Sequence, residues 1–166
     1  ICRFDLRQES LRLFSLDPGG EPYGSFRALE DQLRDEGLEL VFAMNAGMYD
    51  TNYRPIGLYV EDGQQTKKLN RRAGAGNFHL KPNGVFYVKD GKPAVAETES
   101  FAKSGVKPDF ATQSGPMLVI NGRIHPKFSP NGTSRKLRNG VGVDDKGTAI
   151  FVISDNAVTF WEFASL

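Results

Sequence analysis

Alternating apolar and polar positions dominate the chain, and they predict strands. The clearest segments are GLYVEDGQ (57–64), GVFYVKDGKPAV (84–95), PMLVINGRI (116–124) and GVGVDDKGTAIFVI (140–153). Much of the glycine sits in turn dipeptides, several of them between such runs: Asp62-Gly63, Asn83-Gly84, Asp90-Gly91, Asn121-Gly122, Asn131-Gly132 and Asn139-Gly140. Such pairs tolerate the positive φ angles of tight hairpins. The chain also opens in alternation, ICRFDLR, which predicts that it begins inside a strand. One run is different. Leu40 to Met44, LVFAM, is apolar without a break, the pattern of a central strand buried on both faces, and it delivers Asn45, Gly47 and Tyr49 at its end.

Two segments follow helical spacing. In SFRALEDQLRDE (25–36), Phe26, Leu29 and Leu33 share a face, Ser25 is placed as an N-cap and Gly37 follows the end. Thr159 and Glu162 have capping-box spacing, and Phe160, Phe163 and Ala164 begin an apolar stripe. A helix of about two turns is marginal alone. That pattern predicts that the natural protein continues and that this chain is a fragment or a cleaved form. Residues 103–112 and 126–139 are the longest stretches expected to be irregular. The elements together predict an α+β fold, a β-rich mixed sheet core with a few covering helices, in one domain over residues 1–166 that lacks a C-terminal part.

Length supports a real core, because a chain of 166 residues buries roughly 70% of its unfolded surface. Twenty-one Lys and Arg against twenty Asp and Glu leave a formal charge of +1 with the signs mixed, which disfavours nucleic acid and acidic membrane surfaces as partners. No apolar run exceeds five residues, so no membrane-spanning segment is predicted. Cys2 stands alone, either as a half-buried free thiol or as one half of a bridge to a cysteine outside the chain. Two histidines without acidic clusters argue against a zinc site, and no phosphate loop or nucleophile elbow occurs. No cofactor is indicated.

Candidate chemistry lies in four polar segments at the ends of β-patterned runs: Asn45 to Tyr49, Asn77 to Gly84, Gln113 to Pro116 and Arg135 to Gly140. Each joins small residues to amide, hydroxyl or cationic donors. Asn45, Gly47, Tyr49, His79, Lys81, Asn83, Gln113, Ser114, Gly115, Arg135, Arg138 and Asn139 are the candidates they contribute. Together they suit a polar ligand carrying negative charge. Asp155, at the end of the AIFVIS run, is the acid best placed by a buried strand.

The order and spacing of these segments, with the hairpin after Gly140 and the helix start TFWEFASL, resemble the phosphodiester glycosidase family from about residue 38 onward. The family's Asn-Gly-Gly-Phe-Phe-like element corresponds to Asn45–Tyr49, with Ala46 in place of a glycine. Its Ser-Gly-Pro element matches Ser114–Pro116, and its Arg-Thr-Ala-Ile-Gly-like element matches Arg138–Gly142, with Asn139 where Thr is common. NFHLKPNGVF, Asn77 to Phe86, resembles a bacterial branch. The resemblance implies hydrolysis between an anomeric carbon and a phosphodiester oxygen, on a small-molecule or glycan substrate, in the periplasm or otherwise outside the cytoplasm. It further implies an Asp-Gly-Gly-Ser-Ser-like loop beyond Leu166, and in many bacterial relatives a cysteine in that region with which Cys2 would pair.

On that reading Arg138 clamps the phosphate, because a guanidinium grips its oxygens bidentately and keeps its charge. Lys81 and His79 support it. Asn45 bonds a sugar hydroxyl or orients a carboxylate, Gln113 and Ser114 donate to sugar or phosphate oxygens, Gly47 allows close approach and Tyr49 offers a stacking face. Asn45, Arg138 and Asp155 are the expected catalytic set. The rival reading is a module of the cell envelope that binds sugar phosphates without cleaving them.

Overall fold

A computed structural model describes residues 1–166. The fold is α+β and strand-rich, with three sheets and three helices. The hairpins form where alternation predicts them. β2 (Tyr59–Glu61) and β3 (Gln64–Lys67) turn at Asp62-Gly63, β4 (Gly84–Lys89) and β5 (Lys92–Glu97) at Asp90-Gly91, and β7 (Val119–Ile120) and β8 (Arg123–Ile124) at Asn121-Gly122. Both residues of each turn have positive φ, between 47° and 74°, as a turn matched to strand twist requires. β9 (Asn139–Val143) and β10 (Ala149–Ile153) pair through a longer loop, and β1 (Cys2–Phe4) joins β10 at the other edge. Every ladder is antiparallel.

Two sheets build the core. The five-stranded sheet runs β3-β2-β6-β4-β5, and the three-stranded sheet β1-β10-β9 packs on one of its faces. Phe86 and Val88 of the first meet Ala149 and Phe151 of the second, with Phe4 and Phe42 edging the Phe151 ring at 5.8 and 5.7 Å. The opposite face gathers Leu58, Val60, Val85 and Ala111 beneath Phe101 of α2 (Thr98–Ser104). α1 (Phe26–Asp35) buries Leu29 and Leu33, is capped by the Ser25 hydroxyl accepting from Ala28 N at 3.2 Å, and is followed by Gly37 at φ 75°. α3 (Phe160–Ala164) carries the expected capping box, Thr159 Oγ1 accepting from Glu162 N and Glu162 Oε2 from Thr159 N. Cys2 is a half-buried free thiol.

Three expectations are corrected. Residues 103–112 are not one irregular stretch, since β6 (Phe110–Ser114) starts within them and forms the middle strand of the larger sheet. Its polar sequence, FATQS, hides a strand whose alternate residues face two cores: Phe110 meets the Phe151 cluster and Ala111 the Leu58 cluster. α2 is unpredicted because its cap is a glutamate, Glu97, whose carboxylate accepts from Glu99 N and Ser100 N. The LVFAM run, last, is not a strand. Phe42 and Met44 reach the core, yet residues 39–47 make no main-chain to main-chain hydrogen bond.

Candidate functional site

A cleft of about 1810 Å³ opens between residues 39–49, the ends of β6 and β9, and α3. One end of it is polar. β6 alternates so that Thr112 and Ser114 face the cleft, and the Ser114 hydroxyl has no partner within the protein. Asn139 opens β9 and donates its side-chain amide to Asn45 O at 2.6 Å, tying the polar end of the 39–47 segment to the sheet. The Asn45 side chain remains free and exposed. Tyr49 presents its ring beside Tyr53, centroids 5.9 Å apart. Gly47 also lies here, but the close approach it permits is to protein. A Cβ at that position would strike Thr112 Oγ1 and come within 2.6 Å of Gln113 O. Gly115, likewise, is pressed against Phe78 O, 2.6 Å from where its Cβ would stand.

Arg138 stands immediately before β9 and is held from every side. Its backbone N–H donates to Ser154 Oγ at 2.9 Å, its Nε to Val158 O at 2.9 Å and one terminal nitrogen to Ser134 O at 3.0 Å. The guanidinium lies 3.6 Å above the Phe160 ring. Below it the stack continues, Phe160 on Phe128 at 4.9 Å and 8°, and Phe128 on the buried His125 at 4.8 Å. His125 Nδ1 accepts from Lys127 N, which leaves Nε2 to donate to Lys81 O. Arg138 has no carboxylate partner, and partial burial lowers its pKa from the ordinary arginine value without discharging it. A guanidinium held in place without a carboxylate partner is a candidate anion site on the same cleft as Asn45 and Ser114.

The column makes a prediction about rigidity. Phe160→Leu keeps apolar volume but removes the π face, a contact worth about 0.5–2 kcal/mol. The order parameter of the Arg138 Nε–H vector is expected to fall to about 0.6 or lower, the flexible range. An unchanged value would mean that the two carbonyl bonds suffice to hold the side chain.

Charge is also sorted by the fold. Along the cleft Arg3, Arg12, Lys136 and Arg138 are cationic, and Glu39 is the one acid. The near-neutral composition conceals this, because the balancing acids lie elsewhere on the surface. Lys136, whose amine is unpartnered, lines the cleft, and the Phe160 and Phe128 rings stack beneath Arg138; the sequence singles out none of the three as site candidates.

Other candidates lie away from the cleft. Gln113 and Asn83 are each 1% exposed and form a buried network: Gln113 Oε1 accepts from Leu58 N and Asn70 N, its Nε2 donates to Asn70 O and Thr98 Oγ1, and Asn83 bonds Phe78 O and Thr98. Their amides are spent on the scaffold below Ser114. His79 bonds Arg72 O, and Lys81 Nζ donates to Arg71 O. Arg135 pairs with Glu162 at 2.9 Å and so braces α3. Asp155 is an exposed bend residue after β10, outside the cleft lining. Asn45, Gly47, Tyr49, Ser114, Gly115, Arg138 and Asn139 are therefore the candidates that the fold brings together.

Comparison with known proteins places the chain in a family. The sequence model described as phosphodiester glycosidase matches residues 39–166. The uncharacterized protein YigE of Escherichia coli (strain K12) is 42% identical over 156 residues, which are 94% of this chain and 61% of that protein. The chain thus spans about three fifths of the length of this relative. No solved structure matches significantly.

Proposed function

The chain belongs to the phosphodiester glycosidase family, and from that premise we propose that its cleft binds a sugar 1-phosphodiester and hydrolyses the bond between the anomeric carbon and the phosphodiester oxygen. The observation that carries this reading is Arg138, a charged, stacked and carboxylate-free guanidinium on a largely apolar cleft whose few charged side chains are cationic but for Glu39. Cleavage releases the phosphate as a stable monoester anion while water adds to the anomeric carbon, so the main demands are to hold that anion and to stabilise an oxocarbenium-like centre. Arg138 takes the phosphate oxygens through the guanidinium nitrogen left free by Val158 and Ser134. The Ser114 hydroxyl donates from the opposite wall, Asn45 bonds a sugar hydroxyl, and Tyr49 offers its face to the ring of the sugar.

The test is incubation of the full-length protein with a panel of α-sugar 1-phosphodiesters, following free reducing sugar. Release of one sugar supports the reading and names the substrate. Asn45→Ala should lower kcat/KM roughly 10- to 100-fold, the loss of a hydrogen bond or two of about 1.5–3 kcal/mol in total. Its melting temperature should hardly move, because the Asn45 side chain makes no bond within the protein. Unchanged turnover would remove Asn45 from the site.

One observation favours a second reading, binding without cleavage. Glu39 is the single acid along the cleft, so these 166 residues place no pair of carboxylates across a glycosidic bond. Equilibrium binding of the same phosphodiesters without sugar release, by the full-length protein, would select that reading.

A further inference from the structure

The Asn77 side chain is free on a backbone that is not. Asn77 lines the cleft, is exposed, and its amide makes no hydrogen bond within the protein. Its main chain belongs to a 3-10 turn, Asn77–His79, closed by His79 N donating to Gly76 O and Leu80 N to Asn77 O, each at 3.2 Å. Phe78 anchors that turn: it is 2% exposed, its ring lies against Gly57, and its carbonyl accepts from the buried Asn83 Nδ2 at 2.9 Å. Gly115 admits the turn, since a Cβ there would stand 3.2 Å from Asn77 O, and the residue before Gly115 is Ser114. The buried network braces both from beneath. Thr98 Oγ1 donates to Asn83 Oδ1 and accepts from Gln113 Nε2, which ties the strand carrying Ser114 to the turn carrying Asn77. A free amide on a braced backbone, on a cleft shared with the free Ser114 hydroxyl, is preorganised for a ligand.

We propose that Asn77 reads one hydroxyl of the sugar, so that the substrates are sugars carrying that hydroxyl and their deoxy counterparts are disfavoured. The inference rests on the phosphodiester reading of the same cleft. A primary amide donates through Nδ2 and accepts through Oδ1, and a hydroxyl, itself donor and acceptor, answers both. A phosphodiester oxygen only accepts; it would leave Oδ1 unpaired, and Arg138 meets it with a full charge. A neutral amide adds little to the hold on an anion, but it discriminates between ligands with and without a matching hydroxyl. Because Asn77 is exposed, water can replace a missing hydroxyl, so the discrimination is about tenfold and not the 10⁴-fold or more of a sealed site.

The experiment takes the full-length protein and α-sugar 1-phosphodiesters in which each hydroxyl in turn is replaced by hydrogen. The readout is kcat/KM for free sugar, or Kd where the sugar is bound without release, with inorganic phosphate as a competing ligand. Asn77→Ala is expected to lower kcat/KM for the complete sugar roughly tenfold and to leave one deoxy analogue unaffected, so that the gap between the two closes. Its melting temperature and its inhibition by inorganic phosphate are expected to stay as they were. A merely structural role would weaken every analogue alike, so uniform loss overturns the proposal, as does no loss at all. Weakened inhibition by phosphate would also overturn it, by placing Asn77 on the anion. Arg138→Ala separates the two readings. If it abolishes sugar release and relieves phosphate inhibition while Asn77→Ala changes nothing, the assignment of Asn77 fails and the phosphodiester reading stands. A protein that neither binds nor cleaves any of these compounds overturns both.

Discussion

Arg138→Ala is expected to lower kcat/KM for a sugar 1-phosphodiester by about 10³-fold, roughly 4 kcal/mol, because it removes charge-assisted bonds to an anion whose charge grows as the sugar bond breaks. Much of the loss should fall on kcat, since the phosphate, leaving as a monoester, carries more charge in the transition state than the diester does in the bound substrate. Arg138→Lys should recover only a small part. Lysine keeps a charge but cannot lie flat on Phe160 while bonding Val158 O and Ser134 O. The fold should survive both changes, as the two carbonyls lie in half-exposed loops where water can replace the guanidinium. Steady-state rates beside thermal melts make the comparison. A folded Arg138→Ala protein within about tenfold of the original would remove Arg138 from the phosphate site, whatever the sugar.

Gln113→Leu is expected to produce the largest loss of stability, about 3–5 kcal/mol. Leucine fills a similar volume but leaves Leu58 N, Asn70 N and Asn70 O without their partners in a site 1% exposed. Each unpaired buried group costs about 1–3 kcal/mol, partly relieved if the chain shifts. The Thr98 hydroxyl keeps its bond to Asn83 Oδ1, so the damage should centre on residues 56–70 and not on α2. Gln113→Glu is the sharper variant: it retains an acceptor for the two amides but offers no donor to Asn70 O and Thr98 Oγ1, and it buries a charge. Denaturant midpoints compared with the original protein measure both. A loss below about 1 kcal/mol would show that water enters and satisfies the network.

What sequence patterns could disclose here was local. Two-residue turns at Asp62-Gly63, Asp90-Gly91 and Asn121-Gly122, the Ser25 cap and the Thr159 capping box each depend on residues a few positions apart, and each forms where its pattern lies. β6 was concealed for the opposite reason. Its Gln113 is tolerable in a central strand because Leu58, Asn70 and Thr98, distant in sequence, meet its amide, while Thr112 and Ser114 line the cleft. Asp155 illustrates the same limit, since a strand's last residue faces a cleft or solvent according to how the next turn bends. The site divides in the same way. Arg138, Asn45 and Ser114 stand out by residue type at the ends of patterned runs, whereas Phe160 beneath Arg138 reads in the sequence as one more apolar residue of a helix.

By itself, then, the sequence determined the strand-rich character, the positions of the hairpins and helix caps, and the kinship over residues 39–166. Tertiary structure alone decided that Gln113 and Asn83 belong to the scaffold, that four cations gather on one cleft, and that an apolar run patterned as a central strand makes no main-chain hydrogen bond. The division has a physical cause. Backbone preferences and capping act between near neighbours, but burial, hydrogen-bond satisfaction and the field along a cleft depend on which distant segments the fold sets side by side.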